Sequence, residues 1–251
     1  MMRNMNHSII RTFLKIFLLL IIILSFNSFK CIHPEESPYK ILFATSQNLY
    51  SMKIDGSNVK HLFYDFDGFT DINTDVYNTF IIYRSSYIKK ISVTGQYLGT
   101  IPHTDSNTQD ITISADNKLL YRKNGTGLFI MELDGTNNRQ ITKLTTDYLP
   151  SASPASNKIV FSDINDYHIM IINRDGTERR ILYYNNILNN DSADNPSFSP
   201  DGSKIVFELI TDPGPGQVNH IVVMNSDGSE IKKIVQDTTY TLRSPKWSPD
   251  G

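Results

Sequence analysis

The sequence repeats itself with a period of about 40 residues, and this repeat constrains the fold more than any other feature. A short apolar run recurs at residues 41–43, 81–83, 119–121, 159–161 and 205–207, at offsets of 40, 38, 40 and 46 residues. A second anchor recurs at offsets of 39, 40, 41 and 52 residues, at Met52, Ile91, Met131, Ile172 and Met224. A period of this length predicts repeated supersecondary units, of which propeller blades are one kind.

The clearest copy, residues 195–234, shows what one unit contains. It has a Ser-Pro-Asp-Gly turn at 199–202, where proline presets φ and glycine accepts the positive φ that follows. Two apolar, β-branched runs follow at 204–209 and 221–224, and residues 230–235 alternate charged and apolar side chains as a half-exposed strand does. The unit is predicted to be a four-stranded antiparallel meander.

Turns and aromatic residues recur together with the strands. A glycine-containing hairpin turn follows the third strand of every unit, at 55–56, 94–95, 134–135, 175–176 and 227–228. The predicted blades are residues 39–64, 69–101, 110–142, 150–182 and 196–235, with a partial blade at 244–251. One repeat position is aromatic in all five units and predicts packing between blades, at Phe43, Tyr83, Tyr121, Phe161 and Phe207.

The pattern PSFSPDGSKIVF at 196–207, followed by IVVMNSDGS at 221–229, resembles the repeat of TolB-type β-propellers. The opening of this pattern returns at 245–251 as PKWSPDG, and the resemblance extends from about residue 39 to the end. It implies an all-β propeller of four-stranded blades, in a family whose members mostly bind other proteins of the bacterial envelope. The first unit lacks an opening strand, and the chain ends just after one. Two rings are therefore predicted: part of a six-bladed ring, or a five-bladed ring closed by pairing the terminal segments.

Residues 1–31 predict an export signal. Three basic residues, Arg3, Arg11 and Lys15, precede an apolar run at 16–24. This run is shorter than the ~20 residues that span a bilayer and is typical of a signal peptide. Cys31 follows, and the arrangement resembles a bacterial lipoprotein signal whose cysteine is lipidated, although Lys30 stands where that motif has a small residue. An ordinary signal peptide or an uncleaved membrane anchor is the alternative. Residues 32–38 are predicted to be a tether.

The charge balance argues against a nucleic-acid partner. The formal net charge is -2, but the first thirty residues contain four basic residues and no acidic ones, so 20 basic and 26 acidic residues remain. Binding to a phosphate backbone requires a concentrated basic face, and the sequence shows none. A single cysteine excludes an internal disulfide.

No motif predicts a catalytic, cofactor-binding or metal site. There is no G-x-S-x-G motif, and the six histidines occupy dissimilar repeat positions without ligand spacing. The acidic stretch at 65–75 departs from a calcium-binding loop and is interpreted as a solvated connection between blades. We therefore expect no cofactor.

Two insertions break the repeat, at 183–194 and 211–219. Connections between blades and between second and third strands emerge on one face of a meander, so the insertions are predicted to lie side by side. Binding surfaces are usually built from loops that vary on a constant scaffold. The predicted partner-binding residues are Tyr183, Tyr184, Asn185, Asn186, Asp191, Asp212 and Gln217; the alternative is that the insertions are merely tolerated.

The functional prediction is a non-enzymatic, exported protein-binding or scaffold module of the bacterial cell envelope, periplasmic or anchored as a lipoprotein. Its predicted partner is another envelope protein, and its membrane contact is limited to the N-terminal segment or a lipid. The alternative is the propeller portion of a truncated enzyme, either a serine peptidase or a carbohydrate-active propeller. A partial gene product without independent function is a third possibility.

Overall fold

The computed structural model describes residues 40–74, 79–184, 191–211, 216–248 and 251. Within these residues the chain forms nineteen strands in five antiparallel sheets and no helix, which confirms an all-β propeller of five blades. The predicted signal segment, Cys31 and the tether lie outside the described residues. None of the described residues form a helix with the length and hydropathy needed to cross a bilayer.

The blades follow one another along the chain, and strands are paired in sequence order within each. Blade one contains β1 (Lys40–Ala44), β2 (Asn48–Lys53) and β3 (Lys60–Tyr64). Blade two contains β4 (Thr70–Thr74), β5 (Phe80–Arg84), β6 (Ile88–Ser92) and β7 (Tyr97–Thr100). Blade three contains β8 (Thr108–Ile113), β9 (Lys118–Lys123), β10 (Gly127–Glu132) and β11 (Arg139–Gln140). Blade four contains β12 (Asp147–Ala152), β13 (Lys158–Asp163), β14 (His168–Asn173) and β15 (Arg180–Tyr183). Blade five contains β16 (Ser192–Phe198), β17 (Lys204–Thr211), β18 (Val218–Asn225) and β19 (Lys232–Asp237).

The two sequence anchors are hydrogen-bonding neighbours in every blade. Each residue of the first anchor lies opposite the corresponding residue of the second in the antiparallel register. The pairs are Ile41↔Met52, Ile81↔Ile91, Leu119↔Met131, Ile159↔Ile172 and Ile205↔Met224. The repeat therefore fixes not only the blade boundaries but also the register within each blade.

Each hydrophobic core lies between two adjacent blades. The second strand of a blade contributes alternate side chains to its two neighbours: Leu119 and Tyr121 pack toward blade two, whereas Leu120 packs toward blade four. Because both faces of a middle blade are covered, its strands read as continuous apolar runs rather than alternating ones. The predicted aromatic position is fully buried in blades two to five, at Tyr83, Tyr121, Phe161 and Phe207.

Hairpin turns of the type Asp-Gly-Ser/Thr are held by the aspartate side chain. In each case the carboxylate accepts the backbone N–H two residues further on, at 2.8–3.0 Å, and the pKa of the aspartate is lowered by hydrogen bonding. The residues are Asp55, Asp134, Asp175, Asp201 and Asp227. Their recurrence reflects turn chemistry.

Every inner strand, the first strand of a four-stranded blade, contains a β-bulge. The register shifts once in each of β4, β8, β12 and β16. At each shift one non-glycine residue has φ between 49° and 52°. These bulge residues are Asp71, Asp110, Leu149 and Asn195. Ser244, which follows blade five, has the same conformation, with φ of 51°.

Residues after blade five pack against that blade. The Trp247 indole donates a hydrogen bond of 3.0 Å to the Ser197 carbonyl, and the Ser244 N–H donates to the Glu208 carboxylate. In the described part of the chain, β1 pairs only with β2. The closed-ring prediction pairs residues 244–247 with blade one. Among the described residues this pairing is not formed.

Candidate functional site

The inner strands of blades two to five and the segment 243–246 surround a cavity of about 280 Å³. Inner strands line the central axis of a propeller, so this is an axial cavity. All the bulge residues line it, as does Ser244. The bulges thus turn one residue of each inner strand toward a common space.

Two arginine–aspartate pairs cover the side of the axial cavity formed by blades two and three. Arg84 Nε lies 2.8 Å from Asp71 Oδ2, and Arg122 Nε lies 2.7 Å from Asp110 Oδ2. The two arginines occupy equivalent positions, directly after Tyr83 and Tyr121. Burial raises the pKa of Asp110, and the nearby Arg122 opposes that effect.

On the opposite side, Glu208 occupies the position equivalent to the two arginines. It is only 2% exposed, and burial raises its pKa. Asn195 Nδ2 donates to its carboxylate at 2.6 Å, and the Ser244 N–H donates as well. Arg243 and Lys246 contribute basic side chains to the wall; burial lowers the pKa of Lys246, and the nearby Glu208 opposes that effect. The cavity therefore carries charges of both signs and suits a polar ligand better than an apolar one.

Hydrogen bonds between inner strands keep the wall of the cavity in place. Asn73 Nδ2 donates to the Ile111 carbonyl at 2.8 Å, which joins blades two and three. The Leu149 N–H donates to Asp110 Oδ2 at 3.3 Å, which joins blades three and four. Contacts of this kind position side chains precisely, as binding sites require.

The predicted partner-binding residues lie near the stems of the two insertions. Register pairs Ser192↔Ile210 and Thr211↔Val218 place both insertions at the same end of blade five. Tyr184 and Gln217 are exposed, whereas Tyr183 packs its ring 4.9 Å from that of Phe207. Asp191 lies close enough to Tyr183 to raise its pKa, although burial contributes more. The remaining three, Asn185, Asn186 and Asp212, lie outside the described residues.

The end of the propeller that carries these stems is also rich in exposed aromatic residues. We call it the connecting face; it consists of the connections between blades and between second and third strands. Among the described residues, seven Phe and Tyr side chains are exposed, and six lie in or beside these connections: Tyr64, Phe66, Tyr87, Tyr167, Tyr184 and Tyr240. Phe66, Tyr184 and Tyr240 are 78%, 67% and 71% exposed. Exposed aromatic clusters mark interaction surfaces.

The acidic stretch at 65–75 is more ordered than a solvated connection. Asp65 is buried, where it accepts hydrogen bonds from the Tyr83 hydroxyl at 2.6 Å and from Lys89 Nζ at 2.8 Å. These hydrogen bonds hold the pKa of Asp65 below its usual value, although its burial opposes them. Residues 70–74 form β4. In the described residues, no group of three or more His, Cys, Asp or Glu side chains is arranged to hold a metal ion.

Sequence reasoning did not identify the axial cavity. A signal was present, because the residue with positive φ at this repeat position directly precedes a proline in the last three repeats, at Leu149, Asn195 and Ser244. A non-glycine residue with positive φ before proline is unusual, and strained backbone clusters at functional sites.

Solved structures with the same fold include TolB proteins. A protein assigned as TolB from Agrobacterium tumefaciens superimposes with a TM-score of 0.70 at 18% identity, covering 82% of this chain and 75% of that one. TolB from Acinetobacter baumannii superimposes with a TM-score of 0.62 at 15% identity, covering 78% of this chain and 51% of that one. At these identities the likeness shows the fold alone.

The same fold also occurs in an enzyme. An oligogalacturonate lyase in complex with manganese gives a TM-score of 0.60 at 15% identity, covering 79% of this chain and 62% of that one. The chain thus spans about half of one TolB structure and under two thirds of the lyase. No protein-family model and no curated protein sequence matches the chain. Function must therefore be argued from the surface of this molecule.

Proposed function

We propose that this protein is an exported, non-enzymatic propeller that binds another protein of the bacterial cell envelope through its connecting face. The observation that carries the proposal is the concentration of exposed aromatic side chains on that face. Tyrosine and phenylalanine supply large contact areas with few rotatable bonds, which is why they dominate protein interfaces.

The stems of the two insertions extend this surface at blades four and five. The Tyr184 ring packs at a tilted angle against that of the buried His168, with 4.7 Å between the ring centroids, so the tyrosine is both exposed and supported from below. Supported aromatic residues of this kind act as anchors, because little conformational entropy is lost when they bind. Tyr183, by contrast, belongs to the core through Phe207 and supports the surface rather than forming it.

The location in the envelope is part of the proposal and is supported by the signal-like segment at 1–31 and by the likeness to TolB structures. Lipidation of Cys31 would place the propeller beside a membrane through the tether at 32–38. Mass spectrometry of the mature N-terminus tests this part directly: a diacylglyceryl group on Cys31 supports anchoring, and cleavage elsewhere excludes it.

The binding surface is tested by site-specific photocrosslinking of the full chain in its native cells. A photoreactive amino acid replaces Tyr184 in one variant and Val93 in a control; Val93 is also exposed but lies at a hairpin turn. We expect a discrete adduct from position 184 and none from position 93. Further substitution of Gln217→Ala in the Tyr184 variant should weaken that adduct if the insertion stems share one partner.

Two results would contradict the proposal. One is adducts of equal yield at both positions, which would indicate non-specific encounters. The other is the absence of any adduct at position 184 in a variant whose circular dichroism matches the parent. Tyr183 is left unchanged in these experiments because its loss would remove packing on Phe207 and confuse binding with folding.

A second candidate function is catalysis in the axial cavity. It is favoured by two buried carboxyl groups at or beside the cavity, Asp110 and Glu208, whose pKa values are raised by burial, since a general acid at neutral pH needs a carboxyl group with a raised pKa. A carbohydrate-active propeller would fit such a cavity. Hydrolysis or elimination of an oligosaccharide that is abolished by Glu208→Gln, while crosslinking at position 184 persists, would favour this function.

A further inference from the structure

A second cavity, of about 530 Å³, lies between blades three and four. Its floor is β10, and its walls are the β8–β9 and β10–β11 hairpin turns, which lie at the same end of blade three, together with Arg174 of blade four. It is thus built from hairpin turns, away from the connections that form the connecting face. Its volume falls within the range of about 300–1,000 Å³ that is typical of ligand sites.

Arg174 is the residue that distinguishes this place from the equivalent places on other blades. The residue before the third hairpin turn is Ile54, Val93 or Leu133 in the first three blades and Ser226 in the fifth. Arg174 instead reaches across to blade three, where its Nη1 lies 2.6 Å from Asp116 Oδ1. Its Nη2 donates to the Ser153 carbonyl at 3.2 Å. Its Nε is buried and has no acceptor among the described residues.

The cavity has one more positive than negative side chain. Arg174 is paired with Asp116, and Lys118 lies 3.1 Å from Glu132. The third cation, Arg139, is exposed; its charge helps to lower the pKa of Asp175, but it makes none of the ion pairs found among the described residues. A guanidinium group in this situation presents a fork that matches a carboxylate.

We propose that this cavity binds an acidic peptide segment, with a carboxylate on Arg139. The carboxylates of Asp116 and Glu132, on the same wall, disfavour a dianionic phosphate, because like charges at close range repel. They can instead accept hydrogen bonds from peptide N–H groups. Asn137 and Asn138 supply further amide groups, and Asn138 is held by a hydrogen bond of 3.0 Å from the Tyr121 hydroxyl.

The proposal is tested by calorimetric titration of the full chain with two short peptides. Acetyl-Gly-Glu-Gly-amide carries one carboxylate, and acetyl-Gly-Gln-Gly-amide has the same shape without the charge. We expect the glutamate peptide to bind at least about tenfold more tightly, which corresponds to the loss of one charge-assisted pair. Equal affinities, or no binding of the glutamate peptide at millimolar concentration, would overturn the proposal.

A matched pair of variants assigns the binding to this cavity. Arg139 and Arg180 occupy the same register on successive blades, opposite Ile130 and Ile171, but only Arg139 lines the cavity described above. Arg139→Gln should lower the affinity for the glutamate peptide at least about tenfold, whereas Arg180→Gln should leave that affinity unchanged. Equal effects of the two substitutions would show that the peptide responds to general surface charge.

Inorganic phosphate serves as the competing probe. If phosphate binds the parent protein more tightly than the glutamate peptide and also depends on Arg139, the site is one for phosphoanions and the peptide proposal is wrong. Arg139→Lys keeps the charge but loses the fork, and it should retain only part of the peptide affinity. Because this cavity is separate from the connecting face, crosslinking at position 184 and peptide binding here can succeed or fail independently.

Discussion

Replacing Gly95 and Gly56 by alanine separates two reasons for the repeated glycine. Both residues occupy the turn between third and fourth strands and have positive φ, +94° and +81°. A Cβ on Gly95 would lie 2.0 Å from the Leu62 carbonyl oxygen of blade one, whereas a Cβ on Gly56 would meet nothing within 4 Å. Gly56→Ala therefore carries only a conformational cost, and Gly95→Ala carries a steric cost as well.

The expected magnitudes follow from these contacts. The left-handed conformation costs a residue with a Cβ about 1–2 kcal/mol in either turn. Relief of the clash requires blade two to move away from blade one, and overpacking of this kind typically costs about 1–3 kcal/mol more. The effect of alanine on the unfolded chain is the same in both variants and cancels in the comparison. We thus expect Gly95→Ala to be the less stable variant by about 1–3 kcal/mol.

Urea unfolding followed by far-UV circular dichroism measures this difference, and thermal scans should show Tm values separated by roughly 2–12 °C for a domain of this size. Asparagine adopts positive φ readily, so Gly56→Asn should recover most of the loss while Gly95→Asn should not. Equal destabilisation by the two alanine substitutions would refute the reasoning, because it would mean that the turn of blade two does not press on blade one.

Three further predictions concern charge and strain. First, the turn aspartates stabilise the fold above their unfolded pKa of 3.8, and this stability is lost as the pH falls through their lowered pKa values in the folded state, about 2 for Asp201. Urea midpoints measured from pH 7 to pH 2 should therefore fall, and they should fall less steeply in the Asp201→Asn variant. Second, Arg179→Met removes the guanidinium that lies 2.8 Å from the fully buried Asp147 carboxylate. It should lower the free energy of unfolding in urea by about 3 kcal/mol, and adding Asp147→Asn should restore most of this loss. Third, Leu149→Asn should raise Tm and increase the free energy of unfolding by up to about 1 kcal/mol, because asparagine tolerates the φ of 49° better than leucine does. Leu149→Ile should lower Tm.

The repeat predicted the blades well because it carries two independent anchors that the fold places opposite each other. Where boundaries differ, the inner strands are responsible. β12 begins at Asp147 and β16 at Ser192, a few residues before the predicted starts. The bulges at Leu149 and Asn195 interrupt the alternation of side chains, and polar residues precede them, so no local apolar pattern marks these strand ends.

The two cavities were not predictable from one repeat at a time. Arg174 and Asp116 are 58 residues apart and belong to different blades, so their contact exists only after the blades have packed. Similarly, the Leu149 N–H of blade four donates a hydrogen bond to the Asp110 carboxylate of blade three at the axial cavity, a contact that no single repeat contains. Local pattern determines each blade, whereas a site between blades depends on the angle and spacing at which blades pack.

Recurrence within the chain offers a way to separate scaffold from function. The turn aspartates recur with the same hydrogen bond in four of the five blades, so their chemistry is explained by the turn. The position directly after the buried aromatic residue holds Arg84, Arg122, Ser162 and Glu208 in blades two to five, although the second strands keep the same register. The fold therefore tolerates a positive, neutral or negative group there and does not select among them. The scaffold does not explain why Glu208 is buried at a position where other blades have arginine or serine. Nor does it explain Arg174, where other blades have a smaller or apolar residue. Both residues lie beside cavities, and ligand binding there would explain them.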